Sequence, residues 1–324
     1  MECHMKSRKR LAIIGTTPIA TAHVLAAQQA GFHVTDVAGS NGSQTVNDFA
    51  AQHSIPNVWS DPIKLAESNE WDAIIIASAI DSLAELVRCA SVQGNAVLVE
   101  KPVALDPKLF DDLPLESKNV MVGFNRRYYS AVAQAKQFIT QRQACLIQLV
   151  VPESVSVDLH GNVDYSRVKT NATHAFDLLN YLTGGLVIAN AISAVNGTKK
   201  EGVVVNAQTP RGDVCSVIAN WNASANFALT IDCDDERFEL RPFEVGSYYK
   251  GIEVTTSGPS KIRTYSPKLI ETYMEKPNTQ SLKPGFFGQA EALMELAEGR
   301  TPKVAARLKD ARAALLLAET LLNA

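Results

Sequence analysis

No stretch of this chain approaches the roughly 20 consecutive apolar residues needed to cross a bilayer, so no membrane-spanning helix and no membrane partner are expected. Basic runs are equally scarce. The only one is Lys6 to Arg10, and the net charge is -3, which argues against nucleic acid as a partner. The five cysteines (Cys3, Cys89, Cys145, Cys215, Cys233) show no CxxC spacing. The opening Met1 to Arg10 is polar and runs into a strand, so no secretory leader is expected. Together these features point to reduced thiols and a cytoplasmic location. Cys3 and His4 supply two ligands, too few for a metal site, and no metal is expected. Internal repeats and low-complexity segments are absent from the sequence.

What is present is an ordinary globular composition, 46% hydrophobic and 20% charged, over 324 residues. That length favours two domains. Short apolar runs and helical runs alternate over the first 120 residues or so: Arg10 to Gly15, Pro18 to Ala30, His33 to Ala38, Gln44 to His53, Trp71 to Ala77, a helix capped by Asp81, then Ala96 to Val99 and Asn119 to Val122. This alternation predicts a doubly wound parallel sheet over residues 1–122. Beyond Gly123 the pattern changes. Helices are expected at Tyr128 to Ile139 and Thr170 to Leu182, with a strand at Ala144 to Val151 between them. Short strands follow from Val187 to about Arg263, and helices return at Gly285 to Glu298 and Leu308 to Asn323. Residues 123–324 are therefore expected to form an α+β domain with an open, mostly antiparallel sheet that also holds the last helices.

Two loops carry candidate chemistry. The run Val97-Leu98-Val99 stops at Glu100-Lys101-Pro102. In an open parallel sheet, ligands bind beyond the carboxyl ends of strands, and proline turns the chain straight after the lysine. A solvated Lys-Pro turn is the plain alternative. The first strand ends in Gly15-Thr16-Thr17-Pro18-Ile19-Ala20, where a dinucleotide-binding turn would read G-x-G-x-x-G. Thr17 and Ala20 replace the second and third glycines. The β-branch of Thr17 takes space that phosphates would use, although hydroxyls and a helix N-terminus still suit an anion. The loop after the second strand offers Ser40 and Asn41 and no acid, which permits the 2′-phosphate of NADP. NAD or NADP is expected, with the loop favouring NADP.

Four segments together resemble the Gfo/Idh/MocA oxidoreductases, the glucose-fructose oxidoreductase and inositol dehydrogenase family. They are Glu100-Lys101-Pro102, Val122-Gly123-Phe124-Asn125-Arg126-Arg127-Tyr128, His174-Ala175-Phe176-Asp177-Leu178-Leu179, and Leu308-Lys309-Asp310-Ala311. The resemblance implies an N-terminal Rossmann domain that binds NAD or NADP. It also implies a C-terminal domain whose sheet walls the active site and forms a homodimer or homotetramer interface. The implied reaction moves a hydride to or from a hydroxyl-bearing carbon of a sugar, cyclitol or nucleotide sugar. Lys101 would hydrogen-bond the reacting oxygen and stabilise an alkoxide. His174 would be the general base, its ordinary pKa of roughly 6.5 suiting neutral pH. Asp177 would be its structural neighbour. The cofactor set would be Gly15, Thr16, Thr17, Pro18, Ile19, Ser40, Asn41, Ala77, Ser78, Ala79, Glu100, Lys101 and Pro102. For substrate, Arg126 and Arg127 suit a polyhydroxyl or anionic ligand, or a plain solvent face. Asp164, Tyr165, Arg167 and Lys169 precede His174 in a polar loop that fits a substrate contact or a charged connection.

The sequence departs from the family at three places. Thr170 stands where an aspartate commonly precedes the histidine by four residues, and it carries no charge to raise the basicity of His174. Ala79, Ile80 and Leu83 replace the Pro, Asn and His of T-P-N-x-x-H. Thr17 is the third departure. They leave open a non-catalytic or regulatory binding protein on the same fold, or a variant that uses a transient redox step for another net reaction.

Overall fold

The computed structural model describes residues 8–39, 45–160, 162–196, 199–257, 262–274 and 282–324. The chain divides into two compact units, residues 1–128 with 277–315, and residues 129–276 with 316–324.

The first unit is built on six strands: β1 (Arg10–Ile14), β2 (His33–Ala38), β3 (Asn57–Trp59), β4 (Ala73–Ile76), β5 (Ala96–Val99) and β6 (Val120–Val122). They form one sheet in the order β3-β2-β1-β4-β5-β6, and every ladder between them is parallel. The helices α1 (Pro18–Gln29), α2 (Thr45–His53), α3 (Pro62–Glu67) and α4 (Ile80–Ser91) make the crossovers. A parallel strand covered on both faces must be apolar throughout, and Ile74, Ile75 and Ile76 are at most 1% exposed. Each such side chain contributes about 1.5–3 kcal/mol on burial. The strand order reverses between β1 and β4, where an open α/β sheet leaves its ligand crevice.

In the second unit, α5 (Ser130–Thr140) leads into β7 (Leu146–Val151), then the short strands β8 (Ser156–Val157) and β9 (Val163–Asp164) and the helices α6 (Ser166–Thr170) and α7 (Thr173–Thr183). Strands β10 (Val187–Asn196), β11 (Lys199–Gln208), β12 (Val214–Asn220), β13 (Ala228–Cys233), β14 (Glu236–Leu240), β15 (Val245–Ser257) and β16 (Ile262–Met274) follow. Eight of these strands make a sheet in the order β10-β11-β12-β7-β13-β14-β15-β16. Only the β12–β7 ladder is parallel. Along β7 and β12 buried and exposed positions alternate, so one face is covered and the other open. Helix α7 ends at Gly184, whose φ of 85° is the left-handed conformation a side chain disfavours.

Four expectations are corrected. The last helices do not form part of the second unit as a block. Helix α8 (Phe286–Ala297) buries Phe286 and Ala290 with Ala26 of α1, and Leu293 joins the core of the six-stranded sheet. Helix α9 (Leu308–Asn323) is shared, with residues up to Leu315 in the first unit and Leu316 onward in the second. Helix α4 starts at Ile80 with Ala79 at its cap position, so Asp81 lies in its first turn. The helix expected from Thr170 to Leu182 is two helices, broken at Asn171 and Ala172. Among the described residues no helix is long and apolar enough to cross a membrane.

Candidate active site

Gly15 is the pivot of the first unit's cleft. A Cβ placed there would lie 2.2 Å from the carbonyl oxygen of Ala77, and its φ is +116°. Both facts require glycine where β1 and β4 end side by side. The Gly15 amide donates to the Ala38 carbonyl at 2.8 Å, which ties the end of β2 to the same place. A cleft of about 460 Å³ opens here, lined in part by Gly15, Thr16, Thr17, Gly39, Ser78 and Ala79. Pro62, Ile63 and Leu86 add apolar wall, and among the described residues Glu85 is the one charged residue of the lining.

Thr17 turns out to be the N-cap of α1. Its extended backbone lets Oγ1 accept from the Ala20 amide at 3.4 Å, and Pro18 occupies the first helical turn without needing a donor partner. The side chain is exposed at the rim of the cleft. Thr16 Oγ1 pairs with Thr45 Oγ1 at 3.3 Å. Ile19 is partly buried against the Ala26, Phe286 and Ala290 cluster. Ala20, at the third glycine position, is fully buried, where a methyl group fits. Ser40 and Asn41 lie outside the described residues. Asp36, the acid within β2, accepts from Arg10, Thr35, Asn57 and Trp59 and is 2% exposed, so its carboxylate is committed inside the sheet.

The end of β5 is a second fixed point. The buried His23 of α1 bonds Glu100 Oε1 at 2.7 Å and packs on Phe286. The other carboxylate oxygen, Oε2, accepts the Lys101 amide at 3.2 Å. Gly123 leaves room for Glu100, since a Cβ there would meet Oε1 at 2.8 Å. Glu100 is thus a clamp on the backbone that carries Lys101, and sequence reasoning had not assigned His23 or Gly123 to it. The Lys101-Pro102 peptide is cis, Pro102 is buried and Lys101 is half-buried. Farther along, Arg126 is half-buried in a 3₁₀ turn. Arg127 is 6% exposed, donates to the Ala305 carbonyl at 3.2 Å and pairs with Asp310 at 3.4 Å. That commitment corrects its expected place in a substrate site or on a solvent face. Tyr128 donates to the Val304 carbonyl at 2.6 Å.

In the second unit, His174 sits in the first turn of α7 and is 9% exposed, with Asp177 one turn on at 1%. Thr170 ends α6, and its hydroxyl donates to the Ser166 carbonyl at 3.1 Å. It is not on one continuous helix with His174, so the helical i to i+4 relation expected of them fails. The break has a physical cause in Glu153, just beyond β7. This carboxylate is 2% exposed and accepts from Arg167 Nε at 2.9 Å, Asn171 Nδ2 at 2.6 Å and the Ser154 amide at 2.9 Å. It holds both ends of the α6 turn and so sets where α7 begins. Sequence reasoning missed Glu153 and Asn171. The signal was one acid directly after the apolar run Leu149-Val150-Val151 and Pro152.

The other expected substrate residues sit around this clamp. Arg167 is spent on Glu153, and Lys169 forms an ion pair with Glu319. Tyr165 meets Trp221 edge-on at 5.8 Å. Asp164 is exposed just ahead of α6, accepting from the Ser166 amide at 2.8 Å and its hydroxyl at 3.1 Å. Those bonds, the amide's first, hold its carboxyl below the usual aspartate range.

A parallel sheet ordered 3-2-1-4-5-6, with a glycine turn and a cleft at its switch point, defines a dinucleotide-binding domain. Residues 9–123 match the model of the oxidoreductase family with an NAD-binding Rossmann fold, GFO_IDH_MocA. Over these residues the chain is thus similar to the Gfo/Idh/MocA oxidoreductases. Inositol 2-dehydrogenase 2 of Paenarthrobacter aurescens (strain TC1) is 26% identical over 194 residues, 55% of this chain and 56% of that protein. The match thus spans about half the length of that curated relative. Among solved structures, levoglucosan dehydrogenase in complex with NADH and levoglucosan has a TM-score of 0.75 at 17% identity, covering 98% of this chain and 96% of that one. An oxidoreductase domain protein from Kribbella flavida has a TM-score of 0.73 at 16% identity, covering 97% and 96%. These likenesses extend the shared fold over both units.

Proposed function

We propose that this protein is an NAD-dependent dehydrogenase acting on a hydroxyl-bearing carbon of a sugar or cyclitol. The carrying observation is the cleft at the carboxyl ends of β1, β2 and β4, inside a domain of an NAD-binding family. Its residues fit a dinucleotide. Gly15 leaves the backbone bare, and α1 points its N-terminus at the turn, where a pyrophosphate is favoured. Glu85 gives the cleft a negative charge, and its described lining has no lysine or arginine, which supports NAD over the NADP favoured by the sequence. When bound, the nicotinamide takes up or gives back the hydride. Lys101, held by Glu100 in the first unit, donates a hydrogen bond to the reacting oxygen and stabilises it as an alkoxide. His174, buried in the second unit, serves as the base for the hydroxyl proton. The substrate class rests on the relatives' names, an inositol and a levoglucosan dehydrogenase. The location proposed is the cytoplasm.

The open face of the second unit supports a homo-oligomer. Leu146 and Val214 are opposed in register and are 61% and 46% exposed. Such apolar faces are covered in most proteins. The proposal is a homodimer or homotetramer through this face. Light scattering of Leu146→Asp/Val214→Asp would read monomer mass.

The main test is thermal unfolding with NADH and with NADPH, followed by turnover assays across sugars and cyclitols. A ligand at about 100 times its Kd stabilises by about 2.7 kcal/mol. A rise of the midpoint with NADH and turnover of a polyol is the expected result. A second reading, a binding protein without turnover, draws on Thr170, whose hydroxyl bonds a helix carbonyl and leaves no acid at that position. Cofactor binding with no turnover on any polyol would select it.

A further inference from the structure

Three of the cysteines lie together in the second unit, away from every role assigned above. The β7–β13 ladder pairs Asp232 with Leu146. One further step of the same register sets Cys233, the last residue of β13, directly opposite Cys145. Opposed residues of an antiparallel pair point to the same face with Cα atoms about 4.5–5.5 Å apart. A disulfide spans about 4.4–6.8 Å between Cα atoms, so the ladder alone meets its requirement. The side chains agree with the backbone. Cys233 Sγ lies 3.5 Å from the Gln143 carbonyl, over the segment that leads through Cys145 into β7. The two thiols are within hydrogen-bonding reach of each other. Cys145 is fully buried, whereas Cys233 is partly open to solvent.

We propose that Cys145 and Cys233 are a reversible redox pair, closed into a cross-strand disulfide by a small-molecule disulfide of the oxidised-glutathione class. The exposed member reacts first. The Cys233 thiolate attacks one sulfur of the oxidant, forms a mixed disulfide and releases one glutathione thiol. Cys145 then gives its proton to water and attacks Cys233 Sγ, and the second glutathione leaves. Two protein thiols are oxidised by two electrons and one small disulfide is reduced to two thiols. Burial first, then the hydrogen bond to Cys233, push the Cys145 thiol up to about 12, which makes it the resolving partner and not the attacking one. Cys215 is the competing partner. It is paired in register with Ile147 on the other side of β7, and burial pushes it up to about 12 as well.

The test exposes the full native chain to oxidised glutathione, blocks remaining thiols by alkylation, then denatures and digests without reductant. The expected product is one peptide pair joined through Cys145 and Cys233, lost on adding a thiol reductant. Cys145→Ser should stop at the glutathione adduct on Cys233, and Cys233→Ser should yield no joined pair. A glutathione adduct on Cys233 of the unaltered chain that never resolves would overturn the proposal. So would a Cys145–Cys215 link, or both cysteines recovered fully alkylated. Mapping the unaltered chain keeps the result independent of how well either variant folds.

Discussion

Glu100 and Glu153 occupy matching places in the two units and do the same work by different means. Each is an acid just past the carboxyl end of a strand, and each is shielded from solvent. Glu100 fixes the residue that follows it, through a buried histidine and the Lys101 amide. Glu153 reaches a guanidinium and an amide 14 and 18 residues downstream, and through them starts the helix of His174. The first clamp joins its motif to a histidine 77 residues away and leans on the bare backbone of Gly123. The second is assembled within one stretch of chain, from side chains 14 and 18 residues downstream. The lesson is that a candidate catalytic residue can be positioned by an acid inside its own motif, or by a carboxylate that no motif contains.

The largest effect expected from breaking this contrast is at Gly15. Gly15→Ala meets both a left-handed backbone, costing about 1–2 kcal/mol, and overpacking of about 1–3 kcal/mol. Urea unfolding should register the sum, and NADH should no longer raise the midpoint. Next, Lys101→Met should lower turnover by about 100-fold or more while unfolding stays unchanged, because one charge-stabilising donor is lost. Full activity would remove Lys101 from the site. The two clamps can then be set against each other. Glu153→Gln gives up a hydrogen bond between charged partners and should cost about 2 kcal/mol, with NADH binding intact. Glu100→Gln should cost about 1 kcal/mol and should weaken turnover, since Lys101 loses its anchor. Equal losses in stability, or the reverse order, would end the distinction between them.

Asp164 carries the smallest expected effect. Its folded pKa is depressed by its bonds from Ser166, so its contribution is present above the ordinary aspartate pKa of about 3.9. It is lost as pH falls through the lower folded value. The midpoints of the native chain and Asp164→Asn should differ slightly at pH 6 and converge toward pH 3.

The difference between the clamps also explains what could be read from the sequence. The parallel sheet was legible because β1, β4 and β5 hold short apolar runs, and β2, β5 and α9 fall where the residues place them. Strand β3 escaped notice because Asn57 and Val58 are exposed on an edge, so no apolar run marks it. The break before His174 was hidden because the helical periodicity runs straight through Asn171, and the Glu153 carboxylate that holds that residue lies 18 positions upstream. Helix α8 went to the wrong unit because periodicity reveals an apolar face and not what lies against it. Lys101 and His174 were visible as motif residues, whereas Arg127 read as a ligand contact or a solvent-facing cation, and the sequence did not show Asp310 and Ala305 as its partners.

The shared ownership of α9 has a consequence for how the protein is made. Neither unit is contiguous in sequence, for residues 277–315 return to the first and 316–324 to the second. On the ribosome, the six-stranded sheet is synthesised early but lacks Ala292 and Leu293 of its core until some 170 residues after its last strand have been made. The usual order, in which an N-terminal domain finishes folding while the next is still being translated, is therefore closed to this chain. Both units reach completion only once residues 277–324 have been made, and a nascent chain arrested before residue 277 exposes an unfinished hydrophobic face to the chaperones around it.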